Sequence, residues 1–205
     1  MSLFPMFVKL RDRLCVVVGG GQIAEAKIPG LLAAEAKIRI VAPEVTDSLS
    51  VHVREGHIEW LRKTFEPADL AGAYLVVAAT SAVEVNHDVF REAEARGILC
   101  NVVDDPDYCH FYYPSVVRRG ALQIAISTEG LSPALAQRLR RELEAQFGPE
   151  YEPWVTWLGA ARKFLRAKKD DPEETRQLLH QLASAEMFNK FLQETGRADG
   201  NGSNR

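Results

Sequence analysis

Three consecutive glycines, Gly19 to Gly21, follow the β-branched run LCVVV and lead straight into QIAEAK. Gly19, Gly21 and Ala24 stand as G-x-G-x-x-A, a spacing with a physical meaning at each position. The first glycine makes a tight turn, the second lets a pyrophosphate come close to the backbone, and the small third residue lets the next helix pack on the strand. Gln22 and Ile23 fall where that helix opens, so free N–H groups and the positive end of its dipole would meet the phosphates. Glu44 follows Ala24 by 20 residues, just past the next β-branched run. An acid there accepts from a free ribose 2′-hydroxyl, and no basic residue stands between Pro43 and Thr46 to receive a 2′-phosphate. The expected cofactor is NAD rather than NADP, its ribose held by Glu44 or by the backbone at Pro43.

In parallel sheets, ligands lie beyond the carboxyl ends of the strands. Thr80, which ends YLVVAAT, and Asn101 and Asp104, in ILCNVVDD, are therefore expected to border the reactive half of the cofactor. A carboxylate beside a low-dielectric crevice can serve as a general base, which makes Asp104 the candidate catalytic residue. Asp104 also reads as a turn former, since Asp105 and Pro106 follow it, and the residues alone leave both readings open. Cys109 and His110 are neighbours, which in regular structure seldom reach one ion. Without a C-x-x-C or H-x-x-x-H spacing, no metal site is expected. His110 is instead a candidate for approaching a substrate from the connecting loop. His52, His57, His87 and His180 are scattered over helices and loops and read as surface or capping residues. Trp154 and Trp157, at i and i+3 of a helical pattern, read as core.

Positioning these residues takes an alternation of β-branched runs and helical patterns from Leu14 to Val103. The runs are LCVVV, KIRIV, HIEWL, YLVVAA and ILCNVV, with helices expected over 24–34, 46–55 and 83–96. This order predicts an α/β fold, a Rossmann-like doubly wound parallel sheet with right-handed crossovers. After Asp105 the texture turns aromatic and proline-rich. One more strand pattern follows, LQIAIS, and then a helix from Pro133 to about Phe147 capped by Ser132. Leu135, Leu139 and Leu143 stripe one face of it, and a stripe beside an extra strand suggests pairing across a twofold axis. Further helices are expected over 152–167, 172–182 and 185–194. The expected organisation is an NAD-binding Rossmann domain over 1–112, a dimerisation segment of strand plus helix over 113–149, a small C-terminal helical domain over 150–195, and a disordered tail over 196–205.

With 205 residues, 46% hydrophobic and 26% charged, the chain has the makeup of a soluble globular protein able to bury a core. A formal net charge of -3 argues against a general polyanion binder, so no nucleic-acid partner is expected. No apolar run approaches the ~18 residues needed to span a bilayer. The start MSLFPMFVKLRDR carries a proline and charges where a secretory leader needs a basic start and a continuous apolar stretch. Three cysteines, Cys15, Cys100 and Cys109, form no paired framework. Reduced thiols in a cytoplasm are the expectation, with no membrane as partner.

Taken together, FPMFVKLRDRLCVVVGGGQIAEAK, VVAAT, CNVVDD, YPSVVRRGALQIAIST and GLSPALAQRLRRELE resemble the precorrin-2 dehydrogenase and sirohydrochlorin ferrochelatase family, found alone or as the N-terminal part of multifunctional siroheme synthase. The likeness runs in consistent order over about residues 4 to 150. It implies NAD-dependent oxidation of precorrin-2 to sirohydrochlorin, in many members followed by insertion of Fe2+ to give siroheme. It also implies a homodimer of Rossmann domain, dimerisation segment and helical domain, with the site in a cleft. Within the family pattern Asp104 serves both reactions, while the glycine turn with Gln22 and Ile23, and Pro43 with Glu44, match the NAD-binding positions. The chemistry agrees: oxidation sends a hydride to the nicotinamide and a proton to a base, and metal insertion expels pyrrole N–H protons. The polycarboxylate substrate calls for arginines, for which Arg118, Arg119, Arg138, Arg140 and Arg141 are candidates. Each of these, taken singly, reads more simply as part of a solvated helix face. Ser127 and Thr128, before the Gly130 turn, either line the cleft or only end a strand.

Two departures from the family pattern bear on the first helix. Ala26 precedes Lys27 where members often carry arginine, and Glu35 stands where a glycine commonly closes the helix, which puts the helix stop in question. The stretch after residue 150 is too short for the methyltransferase domain of the multifunctional enzyme, so precorrin-2 is expected to come from another protein. Two rival readings are a non-catalytic NAD-sensing regulatory domain and a chelatase without dehydrogenase activity. The residues do not separate chelation from dehydrogenation, because one carboxylate is assigned to both.

Overall fold

The computed structural model describes residues 3–168 and 171–200, with 197–200 given by their backbone alone, and divides into two compact units between Tyr113 and Pro114. In the first unit, β1 (Leu14–Val18), β2 (Lys37–Val41), β3 (Ile58–Leu61), β4 (Ala73–Ala78) and β5 (Leu99–Val102) form a parallel sheet in the order β3-β2-β1-β4-β5. This is the doubly wound order that the alternation predicts. The chain leaves β1 first toward one edge and later toward the other, so the carboxyl ends of β1 and β4 flank the crevice where ligands bind in such sheets.

The helices of this unit are α1 (Gln22–Glu25), α2 (Ile28–Ala33), α3 (Asp47–Arg54) and α4 (Val83–Ala95). Successive strand side chains point to opposite faces, and both faces are covered. Cys15 and Val17 join Ile38, Ile40 and Val77 in one core with Ile28 and Leu49 from the helices, whereas Val16 and Val18 join Val76, Ala78 and Cys100 in another with Val89 and Ala93 of α4. Burying a Val, Leu or Ile side chain contributes roughly 1.5–3 kcal/mol, so these two layers hold the sheet. Burial pushes the Cys15 thiol up to about 11 and the Cys100 thiol up to about 12, which makes both packing groups rather than nucleophiles.

The single helix expected over 24–34 is two short ones. Pro29 stands in the first turn of α2, offers no N–H to the carbonyl of Glu25 and disfavours helical geometry at Ile28, so the chain breaks after α1 and restarts. The stop of α2 keeps its geometry without a glycine. Glu35 adopts φ 58, its N–H donates to Leu32 O (2.9 Å), the Ala36 N–H donates to Leu31 O (3.1 Å), and its carboxylate pairs with Arg11.

The second unit opens with a hairpin of β6 (Ser115–Arg119) and β7 (Leu122–Ile126), where the sequence pattern shows only the latter. SVVRR carries no clean alternation, since Val117 alone is fully buried, and the turn rests on Gly120 at φ 55. Four helices follow: α5 (Pro133–Gln146), α6 (Tyr151–Ala167), α7 (Pro172–Leu182) and α8 (Ala185–Gly200). Ser132 caps α5 as expected, accepting from the Leu135 N–H at 3.3 Å. Trp154 is buried and packs against Phe191 of α8, as expected of core, whereas Trp157, expected beside it in the core, stacks on Trp154 from the surface at 37% exposure, because the i, i+3 pair lies at the edge of the packed face. Helix α8 runs beyond residue 194, and 201–205 of the expected tail lie outside the described residues. Among the described residues, no helix is long and apolar enough to cross a membrane.

Arg119 closes the other end of α5. Its Nε donates to Phe147 O (2.8 Å) and its Nη2 to Glu144 O (3.0 Å), satisfying carbonyls the helix leaves open. Arg119→Ala is expected to cost about 1–3 kcal/mol by orphaning these acceptors. The check is a thermal midpoint several degrees below the parent's, and an unchanged midpoint would remove the capping role.

Candidate active site

The glycine turn is fixed by the chain's own backbone at its first two positions and, among the described residues, by nothing at the third. Gly19 sits at φ +119, where a Cβ would lie 2.4 Å from Ala79 O, and its N–H donates to Val41 O at 3.0 Å. At Gly20 a Cβ would lie 2.1 Å from Glu44 O. Gly21 faces open space, with no atom within 4 Å of an added Cβ. A glycine that no neighbour requires, placed where a helix leaves its first N–H groups without intrahelical partners, is the cradle a pyrophosphate fits.

That open side belongs to a cleft of about 750 Å³ at the carboxyl ends of the strands. Gly19, Gly21, Gln22, Ile23, Pro43, Glu44 and Thr80 all line it, together with apolar Val18, Val41, Phe65 and Val85. Its volume and its mix of apolar walls with a few polar groups suit a dinucleotide. Ala24 does not line the cleft. It is fully buried against the sheet, which is the packing role its small size serves. Outside the cleft lining, Thr46 links α3 to α1, its Oγ1 donating to Glu25 Oε2 at 2.6 Å.

Thr80 owes its position to a residue that sequence reasoning misses. Asn86 of α4, 6% exposed, donates from Nδ2 to Thr80 O (3.0 Å) and accepts from the Thr80 N–H (3.1 Å) and hydroxyl (2.7 Å). Its signal lies in the pattern: Asn86, Val89, Phe90 and Ala93 form the helical stripe that faces the core, and a polar residue there must have a partner. Arg62 is also missed. Its Nε donates to Pro43 O at 3.3 Å, which brings a cation to the rim beside Glu44 from the end of β3, too far along the chain for a local window to register.

Asp104 is exposed on the turn after β5 at φ 61, and that turn is held against the end of β4 by the Val103 N–H donating to Ala78 O at 3.0 Å. The next carboxylate is the engaged one. Asp105 Oδ2 lies 2.8 Å from His87 Nε2, and the imidazole stacks on Tyr108 with centroids 3.8 Å apart. Asn101 sits beneath this loop rather than in the cleft lining, donating from Nδ2 to Phe111 O (2.9 Å) and Cys109 Sγ (3.3 Å). Cys109 donates to Val102 O, and burial raises its thiol. His110 accepts the Cys100 N–H on Nδ1 (3.1 Å) and stacks on Phe90. Cys109 and His110 thus brace the turn that carries Asp104.

The remaining candidates lie in the second unit. Arg118 is exposed, whereas Arg119 is engaged with the end of α5. Ser127 Oγ accepts the Glu129 N–H and Thr128 Oγ1 the Ser132 N–H, each at 3.1 Å, so both hydroxyls shape the turn into α5. Arg138 and Arg140 pair with Glu142 and Glu144 one turn along the same helix, the solvated-face arrangement.

Two family models match this chain, one described as putative NAD(P)-binding over residues 6–115 and one as the central part of a sirohaem biosynthesis protein over 119–146. The chain belongs to the precorrin-2 dehydrogenase and sirohydrochlorin ferrochelatase family. Among relatives of this family, the siroheme synthase of Methylobacillus flagellatus is 42% identical over 176 residues, covering 86% of this chain and 38% of that protein. Siroheme synthase 1 of Aeromonas salmonicida is 38% identical over 201 residues, covering 98% of this chain and 43% of that protein. The chain therefore spans less than half the length of the curated relatives it matches. A solved structure described as SirC, precorrin-2 dehydrogenase, matches with a TM-score of 0.77 at 27% identity over 95% of this chain and 100% of that one. The first unit is the family's NAD(P)-binding domain, and its glycine turn occupies the matched region.

Proposed function

We propose that this chain oxidises precorrin-2 to sirohydrochlorin with NAD, a step of siroheme biosynthesis. The observation that carries the reading is the open face of Gly21 lining a cleft at the switch point of the sheet, one strand away from a turn bearing an exposed carboxylate, Asp104. The N–H groups at Gly21, Gln22 and Ile23 would hold the pyrophosphate, Glu44 or the Pro43 backbone the ribose, and Thr80 the border of the nicotinamide half. Asn101 serves by holding the loop beneath. When bound, NAD supplies the hydride acceptor. Asp104 takes the accompanying proton, so substrate loses one hydride and one proton, and the same carboxylate would accept pyrrole protons during Fe2+ insertion.

On the substrate side, exposed Arg118 is better placed than Arg119 to meet a carboxylate, with Ser127, Thr128 and His110 as further contacts. The proposed assembly is a homodimer in the cytoplasm, supported by Leu131 and Leu135 standing 89% and 38% exposed beside the hairpin of the segment 113–149.

The test is anaerobic. The purified chain, NAD and fresh precorrin-2 should give nicotinamide reduction together with the sirohydrochlorin spectrum, and NADP should serve less well. Binding of NAD without turnover would sink the dehydrogenase reading.

A further inference from the structure

Helix α3 ends in a backbone arrangement that sets two histidines side by side. Glu55 is its C-cap, Gly56 follows at φ 75, the Gly56 N–H donates to Val53 O (3.1 Å) and the His57 N–H to His52 O (3.0 Å). These bonds, one residue stepped inside the other, form a Schellman stop, which brings the side chains of its first and last members into contact. That contact is ordinarily apolar, but here both members are histidine, with ring centroids 5.9 Å apart. Glu55 adds a carboxylate whose Oε2 lies 3.3 Å from His57 Nδ1 and 4.0 Å from His52 Nδ1. The three donor atoms all fall within 4.8 Å of one another.

We propose that His52, Glu55 and His57 form a binding site for a divalent transition-metal ion. Three observations converge on it. The Schellman bonds hold the backbones of His52 and His57 side by side before any ion arrives, leaving only side-chain rotation to complete the site. His52 Nδ1 is shut off from water and has no hydrogen-bond partner among the described residues, an arrangement that wastes a strong donor-acceptor group unless a ligand completes it. The set is mixed nitrogen and oxygen, suited to zinc, cobalt or nickel, whereas calcium and magnesium prefer oxygen alone.

Metal–nitrogen bonds of about 2.0–2.1 Å in tetrahedral geometry place donor atoms roughly 3.3–3.4 Å apart. His57 and Glu55 already stand at 3.3 Å, and both are exposed and can rotate to close the remaining gap to the more buried His52. Three protein ligands leave at least one position to water or an incoming group. The residues read H-x-x-E-x-H, outside the i, i+4 spacing by which helical histidine pairs are recognised, since the second histidine folds back through Gly56 instead of following the helix.

The experiment uses the full chain, stripped with a chelator and titrated with Zn2+ alone by calorimetry and with Co2+ by visible absorption. One ion should bind per chain, with d–d bands of the intensity that low coordination gives. His57→Gln and Glu55→Gln should each weaken binding at least about tenfold, because loss of a direct ligand exceeds the 10- to 100-fold effects of outer-shell changes at its lower end. Both positions are exposed, so the metal-free midpoints should match the parent's and exclude misfolding as the cause. No binding by the parent, or equal affinity in the His57 variant, overturns the site. So does binding that survives both variants and disappears in Asp104→Asn, which would place the ion at the proposed catalytic turn.

Discussion

Gly19→Ala is expected to leave little folded protein, whereas Gly21→Ala is expected to fold normally and bind NAD poorly. The two residues share a motif but answer to different forces. At Gly19 the added methyl would sit 2.4 Å from the Ala79 carbonyl oxygen, on a backbone at φ +119 that L-residues rarely adopt. Backbone strain of about 1–3 kcal/mol adds to an overlap costing about 1–3 kcal/mol, and neither relaxes easily, because the opposing atom is backbone just past β4, where the Ala79 N–H donates to Val18 O at 2.8 Å. The sum is a large share of the roughly 5–15 kcal/mol that holds a domain together. Gly21 has an ordinary extended φ of −83 and open space before it, so stability should change by no more than about 0.5 kcal/mol. Only a ligand would meet the new methyl. NAD affinity should fall at least about tenfold, equal to about 1.4 kcal/mol, read by titration calorimetry beside a thermal scan of the free protein. Normal NAD binding by Gly21→Ala would mean that no pyrophosphate approaches there.

How much of this was readable from the chain follows from the range of each interaction. The central runs are legible because strands covered on both faces become continuous apolar runs, as in Val16 to Val18, and KIRIV and IEWL toward the edge are legible from β-branched and aromatic residues set among polar ones. β6 is not, because SVVRR shows its character only when paired with β7. The break at Pro29 is a local effect and was available in principle, while the retained stop at Glu35 was not, since nothing in its side chain forecasts φ 58. Within the site, the glycine spacing announced the cleft because the turn and its ligand face are built from adjacent residues. Strand position alone puts Asn101 beside the cofactor, but its amide is drawn to Phe111 O, in a loop whose path the strand pattern does not define. The His87–Asp105 contact and the rim position of Arg62 depend likewise on separate elements meeting in space.

Asp104→Asn is expected to reduce turnover of NAD and precorrin-2 by about 10²–10⁴-fold, the usual worth of a positioned general base. The substitution is unusually clean at this position. Asp104 stands at φ 61, a conformation that Asn tolerates about as readily as Asp, so shape is kept while charge is removed. The side chain is exposed, so the thermal midpoint and NAD affinity should stay at the parent's values. Asp105→Asn is the necessary comparison, because Asp105 is held by His87 at 2.8 Å and is the carboxylate that shapes the loop. Loss of turnover with Asp105→Asn but not with Asp104→Asn would move the base by one residue and make the left-handed Asp104 a turn former only. Asp104→Gly separates the two roles further. Glycine relieves a left-handed strain of roughly 1–2 kcal/mol, partly offset by its freer unfolded chain, so this variant should melt no lower than the parent while turning over no faster than Asp104→Asn. A variant that is at least as stable and nearly inactive would show that the carboxylate is kept for its chemistry at a conformational cost.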